Sequence, residues 1–275
     1  MTGGGPITLD DLFALERVYR AAYEAYCAHG IDRTLDPGDK EFASAESWQQ
    51  AHYFRVGADA LRLVVSNLLA NGRPPPSRIL DFPSGSGRVT RHLRVFFPQA
   101  SITACDLYEN HITFCARHFA AVPKLSREHL EELAFDAPFD LIFCGSLLTH
   151  LPQQGAEAAL RLIARSLSPH GIAVVTFQGR HSDHIQRHKW KYLADHLYAQ
   201  AERAVRRHGF GYVDYEGPIR ALFAGQSRYG VTLVRPHWVM HALEGREDIR
   251  ILGYAERAWD DHQDVLVFGR PGINE

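Results

Sequence analysis

Ile79-Leu-Asp-Phe-Pro-Ser-Gly-Ser-Gly-Arg-Val-Thr90 says more about the architecture of this chain than any other segment. A short apolar strand ends in a carboxylate, Asp81. A tight turn with Gly85 and Gly87 follows, and then a helix starts. Such a turn brings backbone amides and a helix N-terminus close to a ligand. It departs from the dinucleotide-binding fingerprint at two points. The third small residue of that fingerprint falls at Thr90, and Asp81 stands where a pyrophosphate would be repelled. A ligand carrying an ammonium group would instead be attracted there.

Three further pieces follow in order. Ser101-Ile-Thr-Ala-Cys-Asp106 reads as the next strand, and its terminal acid falls about 20 residues past the turn, where α/β nucleotide folds hold ribose hydroxyls. Phe139–Gly145 is a buried strand running into Ser146-Leu-Leu-Thr-His-Leu151. Leu167-Ser-Pro-His-Gly171 is a turn before another strand. From about residue 78 to 177 the chain resembles the class I S-adenosylmethionine (SAM)-dependent methyltransferases. SAM has the ammonium group and no phosphate. The resemblance implies an α/β, Rossmann-like, doubly wound seven-stranded sheet with an antiparallel last strand. It implies that Asp81, Gly85 and Gly87 form the cofactor turn, with Asp106 on the ribose and Leu107 and Tyr108 beside the adenine. Ser126 is the candidate at the end of a degenerate third strand. Tyr53 or Arg55, upstream of the turn, is the candidate for the cofactor carboxylate; a helix face packed on the sheet gives the same pattern. Phe82-Pro83-Ser84 replaces the family's more usual small residues and cysteine, and Pro83 removes one backbone donor.

Outward from this core, apolar residues at helical spacing run over Leu9–His29, and a second helix runs from about Glu46 to Ala70. A polar turn at Thr34–Ser44 separates them, and Asn71–Ser77 breaks the pattern. The reading is an N-terminal helical cap over residues 1–75 and a core over 76–275. Within the core, strand and helix alternate, which argues for a parallel sheet. An insertion at about 180–236 follows the fifth strand, with one helix from about Ile185 to His208. Helix Pro236–Gly245 and strands Arg250–Tyr254 and Asp264–Gly269 complete the chain.

Chemistry is sought at the carboxyl ends of the strands. His150 follows the fourth strand and is a candidate general base, since imidazole titrates near neutrality; it equally suits holding the loop. Asp261 and His262 are a second acid–base candidate if the last hairpin returns to that edge, with Trp259 facing the substrate. Gln178 and His181, past the fifth strand, are further substrate candidates. His181, Asp183, His184 and His188 cluster on a basic segment that suits a solvated helix, and no metal is expected.

The chain has 275 residues and a formal net charge of −2, so no global basic field draws nucleic acid. No apolar run reaches membrane-spanning length. The N-terminal Met-Thr-Gly-Gly-Gly-Pro lacks the features of a secretory signal. Cys27, Cys105, Cys115 and Cys144 show no metal or redox spacing, which suits reduced thiols in the cytoplasm. The expected activity is SAM-dependent O-methylation of a small-molecule or glycan hydroxyl. An N-methyltransferase and a non-catalytic SAM-binding scaffold are the alternatives. The acceptor and the oligomeric state are not encoded in any motif.

Overall fold

The computed structural model describes residues 8–39, 46–189, 191–222 and 226–270. The Met-Thr-Gly-Gly-Gly-Pro start and the end of the Thr34–Ser44 turn lie outside these residues.

Four central strands read as nearly unbroken apolar runs because both sheet faces are covered. They are β1 (Arg78–Asp81), β2 (Ser101–Asp106), β4 (Phe139–Cys144) and β5 (Leu167–Phe177). β3 (Val122–Leu125) is an exposed edge strand. β8 (Arg250–Trp259) and β9 (Gln263–Gly269) finish the sheet. The seven strands run in the order β3-β2-β1-β4-β5-β9-β8, with β9 antiparallel to both neighbours. The chain crosses over after β3 to add β4 on the far side of β1, so the strand order reverses between β1 and β4. A crevice opens at such a switch point, beyond the carboxyl ends of the strands.

One face packs α1 (Leu9–His29), α2 (Ser47–Ala70) and α3 (Thr90–Phe96) on the sheet. Leu15, Tyr19, Val56, Ala60 and Val64 join Ile79, Ile102 and Leu141 in one apolar cluster. The N-terminal helices therefore cover the sheet directly. Thr8 and Asp11 close a capping box at the start of α1, satisfying donors the helix cannot. α4 (Glu109–Phe119) follows β2. The other face carries α5 (Gln153–Arg165) and α9 (Pro236–His241), where Ala159, Ile163, Trp238 and Val239 cluster with Ile142, Val175 and Leu266.

The insertion forms α6 (Arg180–His188), α7 (Asp195–His208), β6 (Phe210–Asp214), α8 (Gly217–Leu222) and β7 (Gly230–Val234). β6 and β7 pair antiparallel as a separate ribbon. The single helix expected over Ile185–His208 is instead two. Gln186 is buried, its carboxamide oxygen accepts from the amides of Tyr192 and Leu193, and its nitrogen donates to the Leu193 carbonyl. That side chain supplies the partners a continuing helix would have given, so the chain turns. The last hairpin also differs: strand continues through Trp259, leaving a short turn before Gln263. No helix among the described residues is long and apolar enough to cross a membrane.

Candidate functional site

A cavity of about 370 Å³ opens at the switch point. Its walls come from Phe82–Ser86 after β1, Asp106–Tyr108 after β2, Ser126–Glu131 after β3 and Gly145–Leu147 after β4.

The two glycines of the turn have different tasks. Gly85 has φ +50° and faces the cavity, with nothing within 4 Å of where a Cβ would stand. Gly87 has φ +80°, and a Cβ there would lie 2.3 Å from the Phe119 ring. Gly85 leaves room for a ligand, whereas Gly87 lets α4 pack against the turn.

Asp81 lies behind the turn and forms no part of the cavity wall. It is 1% exposed, and its carboxylate accepts a 2.6 Å hydrogen bond from the Thr90 hydroxyl. Burial pushes its pKa up to about 7, against the Thr90 hydrogen bond and the nearby charge of Arg88. Thr90, the residue that breaks the dinucleotide fingerprint, is what satisfies this acid.

Asp106 does line the cavity. One oxygen accepts the Gly85 amide at 2.9 Å; the other accepts the Tyr108 amide at 3.1 Å and meets His111 Nδ1 at 3.3 Å. Burial opposes protonation of His111, but the Asp106 hydrogen bond and the charges of Asp106, Asp39 and Asp36 outweigh it and raise the imidazole pKa. Leu107, Tyr108 and Ser126 also line the cavity, and the Ser126 amide donates to the Asp106 carbonyl at 2.8 Å. The strand-tip acid, the adjoining apolar and polar wall and the open space at Gly85 fit an adenosyl ligand.

A strap over residues 31–39 crosses the turn. Arg91, 1% exposed, donates to the carbonyls of Asp32, Thr34, Ser86 and Gly87, tying strap and turn together. Ser86 Oγ donates to Asp36 at 2.6 Å. The strap delivers Asp39 to the cavity wall, where it accepts from the Tyr53 hydroxyl at 2.7 Å. Tyr53 itself is buried behind that wall. Arg55 is outside the cavity, paired with Asp260 at 2.9 Å in a shallow groove.

On the opposite side, the His150 ring lines the cavity. Its Nδ1 lies 2.7 Å from the Gly230 carbonyl, and the ring stacks on Tyr229 at 4.6 Å. A carbonyl only accepts, so Nδ1 carries the proton in the neutral ring and Nε2 is the basic nitrogen. Gly230 and Thr232 amides donate to the carbonyls of His150 and Thr149, so the insertion is stitched to the loop after β4. Ser146, at φ +60°, sits beside this wall. Its amide donates to Thr176 Oγ1, and its hydroxyl accepts from Gln263.

Trp259 also reaches the cavity, 2% exposed, with its indole N–H donating to the Val56 carbonyl. The remaining candidates are not brought there. Asp261 is exposed in the groove beside Arg55, and its hydrogen bond to Arg257 holds its carboxyl below the usual range. His262 is half-buried off the wall, and burial lowers its pKa. Gln178 is buried with its carbonyl accepting from Val234. His181 is on α6, facing His184 at 6.0 Å. Several basic residues of the insertion form ion pairs: Arg187 with Asp183 and Glu202, Lys191 with Asp195, and Arg206 with Glu202. Among the described residues, no cluster of three or more His, Cys, Asp or Glu side chains is placed to hold a metal.

Asp39, Arg88, His111, Ser146 and Tyr229 are wall residues that sequence reading missed. Arg88 had a signal, its place directly after Gly87. Asp39 had only the polar turn at Asp36-Pro37-Gly38.

Residues 79–171 match a family model described as a methyltransferase domain. Among solved structures, the fold is similar to a SAM-dependent methyltransferase from Clostridium acetobutylicum, at 11% identity over 93% of this chain and 98% of that one, with a TM-score of 0.52. It is similar to a 1,6-didemethyltoxoflavin-N1-methyltransferase from Burkholderia thailandensis, at 13% identity over 97% and 92% with a TM-score of 0.51. It is also similar to an amino pentose methyltransferase from Micromonospora echinaspora, at 13% identity over 82% and 98% with a TM-score of 0.51. At such identities the likeness speaks to the fold. No curated protein sequence matches the chain. The sheet order, the crevice and the matched segment are consistent with a class I methyltransferase fold, a family that uses SAM as its methyl donor.

Proposed function

We propose that this chain transfers a methyl group from SAM to a hydroxyl of a small molecule or glycan, with His150 as general base. The observation that carries this reading is the tautomer of His150: Nδ1–H is held by the Gly230 carbonyl, which makes Nε2 the basic nitrogen of a ring on the cavity wall.

The sulfonium supplies an already activated methyl carbon. The protein's task is to align an acceptor oxygen opposite the C–S bond and to take its proton. Alignment of this kind corresponds to an effective molarity on the order of 10⁵ M or more. With SAM bound, an acceptor hydroxyl aligned opposite its C–S bond would give up its proton to His150 Nε2. The Tyr229 stack holds the imidazole plane during the transfer. The insertion, bonded to the loop after β4 and walling the cavity with residues 226–229, excludes water.

The test uses radiolabelled SAM with parallel panels of phenols, sugars and amines. His150→Asn keeps a side-chain N–H for the Gly230 carbonyl but has no base. It is expected to lower kcat on hydroxyl acceptors by about 10²-fold while leaving S-adenosylhomocysteine (SAH) affinity unchanged. Methylation confined to amines, or full activity in His150→Asn, refutes the reading. Cofactor binding without turnover on any panel favours a non-catalytic SAM-binding role.

A further inference from the structure

We propose that Gln263 sets the Ser146 hydroxyl as a hydrogen-bond donor to the acceptor oxygen, so that the site takes a hydroxyl and turns away an attacking amine. This rests on the methyl-transfer reading above, with His150 as base.

Three side chains behind the loop after β4 form a hydrogen-bond chain whose direction is fixed. The Ser146 amide donates to Thr176 Oγ1 at 2.9 Å. Thr176 is 0% exposed, and its own hydroxyl proton needs an acceptor. Gln263 Oε1, 2.6 Å away, takes it. The carboxamide is thereby oriented, oxygen on Thr176 and nitrogen on Ser146. Gln263 Nε2 then donates to Ser146 Oγ at 2.9 Å. An amide N–H only donates, so this chain leaves the Ser146 hydroxyl hydrogen unused. Among the described residues that hydrogen meets no acceptor. Ser146 lines the cavity, and the hydrogen is left for a ligand.

The backbone around Ser146 is equally committed. Its carbonyl accepts from the Thr149 hydroxyl at 2.7 Å, and the His150 amide donates to the Leu147 carbonyl at 3.1 Å. These bonds fold residues 146–150 into one turn, so Ser146 and His150 share a stretch of cavity wall. Ser146 holds φ +60°, a conformation that glycine adopts without strain. The bonds to Thr176 and Thr149 hold it there, and Oγ is placed before an acceptor arrives.

One wall therefore offers a ligand a base at His150 Nε2 and a donor at Ser146 Oγ. A hydroxyl answers both. Its proton goes to Nε2, one lone pair is spent on the methyl carbon, and the second accepts the Ser146 hydrogen. A neutral amine has a single lone pair. Once that pair is spent on carbon, nothing remains for Ser146. Its hydrogen then stays unpaired in a cavity closed to water. An unpaired polar group of this kind is how a hydrogen-bonding site rejects an analogue.

Matched acceptors test the assignment: the hydroxyl acceptor turned over fastest in the phenol and sugar panels, and the amine in which NH2 replaces its reacting OH. Radiolabelled SAM gives kcat/KM for each, and calorimetry gives SAH affinity. Ser146→Ala should lower the hydroxyl-to-amine ratio of kcat/KM about tenfold, with the loss in hydroxyl transfer. Gln263→Glu keeps the serine. Its carboxylate still accepts from Thr176 but now also accepts from Ser146, which turns the hydroxyl hydrogen away from the cavity. It should lower the ratio by a similar factor. SAH affinity should hold within about twofold in both variants. An unchanged ratio in either variant overturns the assignment. So does a drop in SAH affinity that matches the drop in turnover, which would put the hydroxyl on the cofactor. A wild type that methylates no hydroxyl acceptor overturns the methyl-transfer reading itself, and this assignment with it.

Discussion

Asp81→Asn separates what this buried acid does from what its position in the motif suggests. The wild-type carboxyl is 1% exposed and its pKa is lifted from 3.8 to about 7, chiefly by burial. The unfolded chain releases this proton near pH 3.8, while the folded chain keeps it until about 7. Across that window the folded state binds more protons, so stability falls as pH rises. Below the lower value the group is neutral in both states and costs nothing. Above the upper value the cost is complete, about 4 kcal/mol, because each tenfold change in proton affinity is worth about 1.36 kcal/mol. About 3 kcal/mol of this accrues between pH 5 and pH 8. Asparagine does not titrate. The unfolding free energy of Asp81→Asn should therefore improve on wild type by about 3 kcal/mol between pH 5 and pH 8. Urea unfolding of both proteins at four pH values, followed by circular dichroism, reads this difference, and the titrations common to both cancel. A difference that stays constant within about 0.5 kcal/mol would show that Asp81 ionises in the fold at no more cost than in water, and burial would not be what governs it.

The glycine turn offers a paired comparison. Gly87→Ala combines a left-handed backbone with a contact at 2.3 Å, and it should cost about 2–4 kcal/mol of stability in a urea melt. Gly85→Ala meets open space; it should cost about 1–2 kcal/mol while lowering SAH affinity. Identical behaviour of the two variants would contradict their separate assignments. Arg91→Met leaves four backbone carbonyls without their cation and should release the strap. Limited trypsin digestion would then cleave after Arg33 faster than in wild type, and SAH affinity would fall; an unchanged cleavage rate counts against the strap.

Much of the architecture was legible because local chemistry and tertiary environment agree. The first helix runs over Leu9–His29 as its periodicity and its Thr8 cap require. β1, β2, β4 and β5 are apolar because parallel strands are covered on both faces, and the order of motifs predicts the sheet that forms. Where a long-range partner intervenes, the pattern misleads. Gln186 folds back on Tyr192 and Leu193 and splits a stretch that reads as one helix.

Residues adjacent in the chain were enough to specify a Rossmann-like sheet consistent with class I methyltransferases, the glycine turn and the acid at the tip of β2. Which polar groups meet the cavity was settled by folding alone. Folding turned Asp81 inward onto Thr90 and seated Asp36 on Ser86, fifty residues further along the chain, bringing Asp39 to the cavity wall with it. It also carried Asp261 out to a solvent groove. Burial and charge pairing depend on neighbours in space, and strand ends from distant parts of the chain share one crevice.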